Sequence, residues 1–427
     1  MTQDISPEEP SALRGPPEAP ARRTLATFSS LRYRDYRLLW TGQVGHSASL
    51  WMEMVIRPVL ILHLTDSALQ VGLVVATRMV PTLLFGLIAG VVADRFDKRR
   101  ILLACQTVTM SMHFLLAMLV LSGMVEVWQV FATAFVSGTS MAFNQPARHS
   151  LVPRLVPERE LLNAIALNTA AMNVMRIAGG GLAGVLLIPL GVGAVYLLNG
   201  FLYIGVMLTT VLMRVPPQGR AASGPSPSWV EDLKEGFAFV GRNPAILYIL
   251  APALILFVFG FPYNSVFVPL LAKQVLDLGD SGVGALLATT GVGALAGSLV
   301  MASRSDIRRR GLLMLVFLAI FSGALILLSR STFLPLALLA LLLVGSAGVS
   351  YMALTNTLLL ENSPRELHGR VLSLMSLDRG LVPLGATIAG ALAATLGPQS
   401  GLLVMALICL GLTAVVAVGA PTLRRLG

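Results

Sequence analysis

The stretch Gly90-Val-Val-Ala-Asp94-Arg95-Phe-Asp97-Lys98-Arg99-Arg100 joins two apolar segments, 68–92 and 101–121. Each segment is long enough to cross the roughly 30 Å hydrocarbon core of a bilayer as a helix. A short, strongly charged connection between two such segments is typical of a membrane hairpin whose loop remains in water. Because similar apolar segments recur along the whole chain, the pattern predicts a membrane protein rather than a soluble one.

The composition supports the same fold class. Of the 427 residues, 55% are hydrophobic and 12% are charged, whereas soluble domains carry about 25% charged residues. We therefore exclude a soluble enzyme and predict an all-α polytopic protein of the inner cell membrane. The apolar segments predict twelve transmembrane helices, at 38–63, 68–92, 101–121, 125–146, 163–188, 192–213, 245–270, 281–302, 311–329, 333–358, 370–396 and 399–420.

The Lys and Arg residues are concentrated in alternate connections between the predicted helices. Of the 31 basic residues, 25 lie in the N-terminal segment, in the connections that follow even-numbered helices, and in the C-terminal tail. Only Lys273 and Arg330 lie in the opposite connections. Since cytoplasmic loops carry the excess of Lys and Arg, both termini are predicted to be cytoplasmic. The net charge of +10 thus reports topology, and we expect no nucleic-acid partner.

The chain repeats itself at a spacing of just over 200 residues. Asp94–Arg100 is matched by Arg304–Arg310, and Leu155–Leu161 is matched by Ser363–Leu367. Parallel repeats of this kind occur in secondary transporters and predict two six-helix halves. The predicted domains are a disordered cytoplasmic tail (1–34), an N-terminal six-helix bundle (35–213), a cytoplasmic linker with an amphipathic helix (214–244), a C-terminal six-helix bundle (245–420) and a short cytoplasmic tail (421–427).

Several motifs resemble those of one transporter family. The Gly90–Arg100 stretch is similar to the loop signature G-x-x-x-D-R-x-G-x-R-R of the major facilitator superfamily, with Asp97 in place of the second glycine. The stretches Phe143–Arg148, Leu151–Pro157 and Arg176–Gly179 resemble the twelve-helix bacterial branch that contains macrolide-efflux and enterobactin-export proteins. The resemblance covers about 35–425, and it implies the major facilitator fold and transport by alternating access without a cofactor.

The resemblance also implies that the charged loop gates the cytoplasmic side. The candidate gate residues are Gly90, Asp94, Arg95, Lys98, Arg99 and Arg100. In the superfamily the loop Asp lies near the start of the eleventh helix, here 368–370, and the basic residues lie near the fourth helix. A helix N-terminus attracts a carboxylate by roughly 0.3–1 kcal/mol, so making and breaking this contact would gate transport. The alternative is that the loop charges only set the topology.

Charged residues inside the predicted helices are candidate functional residues, because each costs roughly 2.5–3.5 kcal/mol at the centre of a membrane helix. Glu53 has two candidate partners, Arg57 one helical turn further along and Arg78 at a similar depth on the second helix. Two interpretations remain open. The trio either only holds the first two helices together, or Glu53 takes up a proton and releases an arginine for an anionic substrate group. Asp378 is the second candidate for the proton site.

Polar stripes on the first, fourth, seventh and tenth helices predict a substrate cavity, since a polar face of a membrane helix must meet protein or water. The resemblance implies that these four helices line the central cavity. If Glu126 and Arg370, at the span ends, are counted with the adjoining loops, two acids and four arginines lie inside the predicted helices. They favour anionic or oxygen-rich ligands, because arginine matches carboxylate and phosphate geometry. The candidate cavity residues are Gln43, His46, Ser47, Arg57, Arg78, Ser137, Ser140, Asn144, Asn173, Arg176, Tyr263, Asn264, Tyr351, Asn356 and Arg379.

We therefore predict a proton-coupled exporter of amphipathic small molecules, of the drug or siderophore type, that acts as a monomer. Its expected partners are a small-molecule substrate, protons and the lipid bilayer. The five histidines are scattered, so we expect no metal site, and His113 is interpreted as a packing residue. The chain lacks a nucleotide-binding phosphate loop, which disfavours an ATP-driven pump. The alternatives are a lipid or lysophospholipid transporter, an uptake permease of the same fold, and a non-transporting membrane sensor.

Overall fold

The computed structural model describes residues 26–215, 243–303, 309–363 and 380–426. The regular secondary structure in these ranges is helical throughout, and they contain no β-strand. Nine helices within them are long and apolar enough to cross a membrane. These findings confirm the predicted all-α class.

The described helices fall before and after the segment 216–242. The N-terminal half contains the 3-10 segment Ala26–Arg32, α1 (Arg34–Thr65), α2 (Ala68–Arg95), α3 (Lys98–Leu121), α4 (Val127–His149), the short α5 (Val152–Leu155) and α6 (Glu158–Leu212). The C-terminal half contains α7 (Pro244–Ile255), two π-helical segments (Leu256–Gly260 and Tyr263–Phe267), α8 (Val268–Gln274), α9 (Gly279–Ala302), α10 (Arg310–Ser329), α11 (Leu334–Glu361), α12 (Val382–Leu396), α13 (Pro398–Gly419) and the short α14 (Pro421–Arg425).

The longest helix, α6, is two antiparallel arms. It has 55 residues, and its backbone leaves the helical conformation at Gly191, where φ is 73°. Tyr36 at the start of α1 donates a hydrogen bond to the carbonyl of Ala164 at 2.7 Å. Arg34, in the first turn of α1, donates to the carbonyl of Leu212 at 3.4 Å. Since both ends of α6 lie beside the start of α1, the chain reverses at Gly191, and the arms match the fifth and sixth predicted spans.

Besides the two arms of α6, which count as one helix, two differences explain why the described residues contain nine long apolar helices whereas twelve spans are predicted. Helix α4 carries the polar stripe of the fourth predicted span and is too polar to count among the nine. Helix α12 has 15 residues, because the first part of the eleventh predicted span, 370–379, lies outside the described residues. The number twelve and the cytoplasmic position of the termini remain predictions.

The segment just before α1 packs against the start of α6. The pattern of the sequence predicts a tail through residue 34, whereas Ser30 donates hydrogen bonds to the carbonyl of Glu160 at 3.1 Å and to the side chain of Asn163 at 2.7 Å. Arg32 forms an ion pair with Glu160 at 2.5 Å. The folded chain therefore begins eight or more residues before the predicted boundary. Residues 1–25 and the linker residues 216–242 lie outside the described part.

The two halves touch on the side opposite the basic connections, which we call the outer side. A Cβ atom on Gly184 of α6 would lie 2.8 Å from the Cα of Gly284 on α9, closer than real Cβ atoms approach. A Cβ atom on Gly72 of α2 would similarly lie 2.9 Å from the Cα of Gly390 on α12. Glycines at these positions allow close helix contact. We call these two contacts the outer seam.

An ion-pair cluster spans the outer seam. Asp280 at the start of α9 accepts from His63, near the end of α1, and from Lys273 of α8, both at 3.0 Å. These side chains are partly exposed to solvent. His63 belongs to the N-terminal half and the other two residues to the C-terminal half, so the cluster links the halves at the outer side. We call it the outer latch.

Candidate functional site

A buried charge network lies at the centre of the N-terminal half. Glu53 on α1 is 2% exposed, and its carboxylate contacts both predicted partners. One oxygen accepts from the Nε of Arg57 at 3.2 Å and also from its Nη2. The other accepts from the Nη2 of Arg78 at 2.7 Å. Arg57 also donates to the carbonyl of Val130 at 3.0 Å and to the hydroxyl of Thr133 at 3.2 Å on α4.

Two features of the sequence assemble this network. Glu53 and Arg57 are four residues apart, which places them on one face of α1. Gly138 on α4 lets that helix lie against the backbone of Arg78, since a Cβ there would fall 2.9 Å from the carbonyl carbon of Arg78. One carboxylate and two guanidinium groups leave a net positive charge. Removing one partner from a buried pair of this kind typically costs about 3–5 kcal/mol.

A small polar cavity, which we call the N-terminal cavity, adjoins the network. Its volume is about 10 Å³, and its lining includes His46, Glu53, Arg78, Ser137, Ser140 and Asn144. His46 is hydrogen-bonded to the hydroxyl of Tyr203 at 2.8 Å, and Ser140 is hydrogen-bonded to Thr109 at 2.8 Å. Six predicted residues thus meet around one space, together with Thr109 and Tyr203, which carry no charge and are not apparent from the sequence.

A larger cavity, which we call the central cavity, lies between the two halves. Its volume is about 100 Å³, and α1, α6, α9, α10, α11 and the π-helical region all contribute to its wall. Its lining includes Trp51, Arg176, Phe261, Tyr263, Asn264 and Phe321. Three of these six are predicted site residues, namely Arg176, Tyr263 and Asn264. The wall uses α6 and α9 more than the resemblance implies, and α4 does not contribute to it.

The other predicted cavity residues lie elsewhere. Gln43 donates to Ser47 at 2.8 Å within α1, and both side chains are buried. Asn173 is exposed and lies outside the lining of both cavities. Tyr351 is fully buried and Asn356 is half-buried, and neither lines the central cavity. Asp378 and Arg379 lie outside the described residues.

In the charged loop, the residue that replaces the second glycine of the superfamily signature caps the next helix. Asp97 is the N-cap residue of α3, and its side chain accepts a hydrogen bond from the backbone N–H of Arg100 at 3.0 Å. Aspartate is one of the residues preferred at this position. Arg99 donates to the carbonyl of Thr210 at 3.0 Å and also to that of Val211, which neutralises free carbonyls at the end of α6. Lys98 is buried. The Asp94 side chain and its expected partners at 368–370 lie outside the described part, so the gate contact remains a prediction.

Arg148 is a buried cation that reasoning from sequence assigned to a cytoplasmic loop. It lies within α4 and is 5% exposed. Its Nε donates to Asn144 at 3.4 Å, and its Nη1 lies 3.5 Å from the carbonyl of Leu39. The spacing contains the signal that could have revealed it, because Arg148 follows Asn144 by four residues and continues the stripe of Ser137 and Ser140.

His113 also belongs to the buried polar core of the N-terminal half. Its Nε2 lies 3.4 Å from the hydroxyl of Ser49, and its ring lies 5.5 Å from that of Tyr203, measured between centroids. Its Nδ1 has no hydrogen-bond partner among the described residues. The packing role stays a prediction, but the neighbours are polar rather than the methionines of its own helix.

The sequence as a whole matches one known family. The family described as transmembrane secretion effector, within the major facilitator superfamily, matches residues 25–425. The chain belongs to this family. Macrolide efflux protein A of Streptococcus pyogenes is 23% identical over 383 residues, covering 86% of this chain and 92% of that protein. The multidrug efflux pump Tap of Mycolicibacterium fortuitum is 27% identical over 384 residues, covering 88% and 93%.

Solved structures agree on the fold. The nucleoside transporter NupG superposes with a TM-score of 0.74 at 11% identity, covering 90% of this chain and 99% of that one. At this identity the likeness concerns the fold alone. The predicted superfamily, its major facilitator fold and its likeness to macrolide-efflux proteins are confirmed, so the chain is a multi-pass membrane transporter by family.

Proposed function

We propose that the protein is a proton-coupled exporter of amphipathic small molecules that works by alternating access. The observation that carries this proposal is the central cavity, which lies between the two halves and combines a cationic wall with an aromatic one. The names of the two efflux relatives support export as the direction.

The lining favours amphipathic substrates. Phe261 and Phe321 present aromatic surface to the cavity, whereas Arg176 and Asn264 present polar groups. A few placed polar groups within an apolar lining orient a ligand, and the apolar part supplies most of the contact area. A substrate with an apolar body and one polar end satisfies both parts of the wall.

Glu53 is the proposed proton site. It is the carboxylate that holds both Arg57 and Arg78, and it lines the N-terminal cavity. A proton on Glu53 removes the negative charge that attracts the two guanidinium groups, so the contact between α1 and α2 weakens. Because these helices also reach the outer seam, proton uptake at Glu53 would favour its rearrangement. In this scheme the substrate is released on the outer side, and the proton that binds Glu53 moves in the opposite direction.

The outer seam supports alternating access. Glycine contacts and the outer latch hold the halves together on the side opposite the basic connections. For a substrate to leave outward, these contacts must separate while contacts on the other side form. A transporter needs two such arrangements of nearly equal free energy, and the partly exposed latch is an inexpensive contact to break.

Inside-out membrane vesicles test the proposal. Their lumen corresponds to the outer side, so an acidic lumen should drive radiolabelled erythromycin inward through the protein. We expect accumulation above that of vesicles lacking the protein, and we expect the Glu53→Gln variant to lose at least tenfold of the gradient-driven component. The proposal fails if wild-type accumulation is absent with a panel of amphipathic drugs, or if it does not depend on the pH gradient. If the Glu53→Gln variant keeps its gradient-driven transport, Glu53 is not the proton site, but the proposed export is unaffected.

A further inference from the structure

We propose that Arg176 and Trp51 form an acceptor-binding site for an acidic group, so that the preferred substrates of the central cavity are amphipathic organic anions. This inference rests on the proposed transport function because it names the substrate class of the same cavity. It differs from the earlier hypothesis that an arginine released from Glu53 binds the anion. The difference follows from how the buried arginines are partnered.

Three of the buried arginines are already engaged. Arg57 and Arg78 share the carboxylate of Glu53. Arg148 interacts with Asn144 and approaches the carbonyl of Leu39. The Nε of Arg78 and the Nη2 of Arg148 also lack hydrogen-bond partners within the described residues. None of the three arginines, however, lines the central cavity.

Arg176 is arranged differently. Within the described residues, no carboxylate lies within ion-pair distance of it, and its Nε has no hydrogen-bond partner. Its guanidinium carbon lies 5.9 Å from the centre of the Trp51 ring. An arginine inside a membrane protein normally pairs with an acid, a carbonyl or water, because the unpaired charge is costly. Both side chains line the central cavity. The Nε of Arg176 is itself shielded, so a ligand would approach the terminal nitrogens of the guanidinium group.

Trp51 carries a second unpaired donor beside Arg176. Its indole Nε1 is buried and also has no hydrogen-bond partner among the described residues. An indole N–H and a guanidinium N–H are donors only, so neither can satisfy the other. Two unpaired donors beside one positive charge are complementary to a group with several acceptor oxygens and a negative charge, such as a carboxylate, sulfonate or phosphate.

The remainder of the wall fits the apolar body of such a ligand. Phe261, Phe321 and Met352 line the same cavity and come from the C-terminal half. Arg176 and Trp51 belong to the N-terminal half. An amphipathic anion bound with its acidic group at Arg176 and its body against these aromatics would therefore contact both halves at once. A ligand that bridges the halves biases their relative position, which a transport substrate must do.

A matched pair of fluorescent probes tests the proposal. Dansylaminoundecanoic acid carries an ionised carboxylate at neutral pH, and its methyl ester has the same body without the charge. Binding to the purified, detergent-solubilised full chain is measured by dansyl fluorescence. We expect wild type to bind the acid about tenfold or more tightly than the ester, and Arg176→Gln to remove this preference while ester binding changes less than twofold. Trp51→Phe should weaken acid binding about threefold or more while keeping the aromatic ring.

Two variants separate charge from structure. Arg176→Lys keeps the charge and should retain part of the preference, whereas Arg330→Gln removes an exposed arginine from an outer connection and should change neither probe. Thermal unfolding and gel filtration verify that each variant folds. Equal weakening of both probes in Arg176→Gln would show that the arginine only supports the fold and would overturn the proposal. The absence of acid preference in wild type would do the same.

Competition identifies the source of the anion. If lysophosphatidylglycerol displaces the acid at lower concentration than lauric acid, the shared anionic chemistry stands and the natural ligand is a lipid. If lauric acid displaces it at equal or lower concentration, the ligand class is a free organic acid. Binding is measured independently of transport. If the protein shows an acid preference that depends on Arg176 but transports nothing, the proposed export is refuted and the assignment of the binding site stands.

Discussion

The two halves of this transporter bury polar groups in contrasting ways. In the N-terminal half, the buried side chains include Glu53, Arg57, Arg78, Lys98 and Arg148. In the described parts of the C-terminal half, 243–303, 309–363 and 380–426, the buried polar side chains are neutral. The C-terminal half instead contributes an aromatic wall and two π-helical segments, Leu256–Gly260 and Tyr263–Phe267. The described parts of the two halves thus differ in the chemistry of their buried polar groups.

The difference indicates that the two halves contribute differently to transport. Charges that form buried ion pairs have two states, paired and separated, and they respond to a proton. Neutral aromatic surface responds to shape and apolar area instead. The wider turns of π-helical segments are frequent at functional sites, and here they carry Tyr263 and Asn264 into the central cavity. We therefore expect variants of the N-terminal half to alter coupling and stability, and variants of the C-terminal half to alter substrate preference.

The largest expected effect concerns the charge network. Glu53→Gln leaves two buried guanidinium groups without their carboxylate, so the free energy of unfolding should fall by about 3–5 kcal/mol. Asn264→Ala is the matched variant in the C-terminal half, and it should cost about 1 kcal/mol or less because Asn264 is neutral. Unfolding of the full chain in mixed micelles measures both. If the two variants were equally destabilised, the contrast between the halves would have no energetic basis.

The next effect concerns the outer seam, where the halves meet. Gly284→Leu forces a side chain against the backbone of Gly184, and overpacking of this kind typically costs about 1–3 kcal/mol. Under the proposed alternating access, the seam closes in only one of two arrangements. We therefore expect drug transport in vesicles to be largely lost while the protein still inserts and folds. Gly205→Leu on α6 is the control, since a Cβ there meets nothing within 4 Å. Normal transport by Gly284→Leu would mean that the seam does not need to close.

The smallest effect concerns the outer latch. Asp280→Asn weakens the partly exposed hydrogen bond to His63 and the partly exposed ion pair to Lys273. Exposed ion pairs are typically worth about 0.2–1 kcal/mol. A cysteine at Ala68 beside the seam should therefore react about two- to fivefold faster with a membrane-impermeant maleimide in whole cells. Asp277→Asn, which changes an exposed acid outside the latch, should leave the labelling rate unchanged. Equal labelling in both variants would show that the latch does not hold the halves together.

Several features of the site were accessible from sequence because they depend on short spacings. The four-residue interval between Glu53 and Arg57, and the equal depth of Arg78 across one hairpin, identified both partners of the acid. They could not show that one carboxylate serves both arginines at once. That depends on the close contact of α2 and α4 at Gly138, which brings Arg78 to its observed position.

Other features were beyond reach because they depend on how each helix is rotated in the assembled bundle. Trp51 lies in a predicted span with a polar stripe, but its vacant indole and its contact with Arg176 involve two helices distant in sequence. Tyr351 and Asn356 have polar side chains on the predicted lining helix, yet packing turns them away from the central cavity. A helical period identifies a face and leaves open which neighbour that face meets.

The sequence by itself determined the membrane class, the family and the positions of the charged residues along the chain, and it predicted a buried acid. These properties depend on the length of apolar runs, on the composition of short loops and on local spacing, and all three can be read directly from the order of the residues. The tertiary structure decided which charges are neutralised and which cation remains vacant. Those outcomes depend on contacts between α1, α2, α4 and α6, because the interaction energy of a buried charge is set by the groups within a few ångströms of it rather than by its neighbours in sequence.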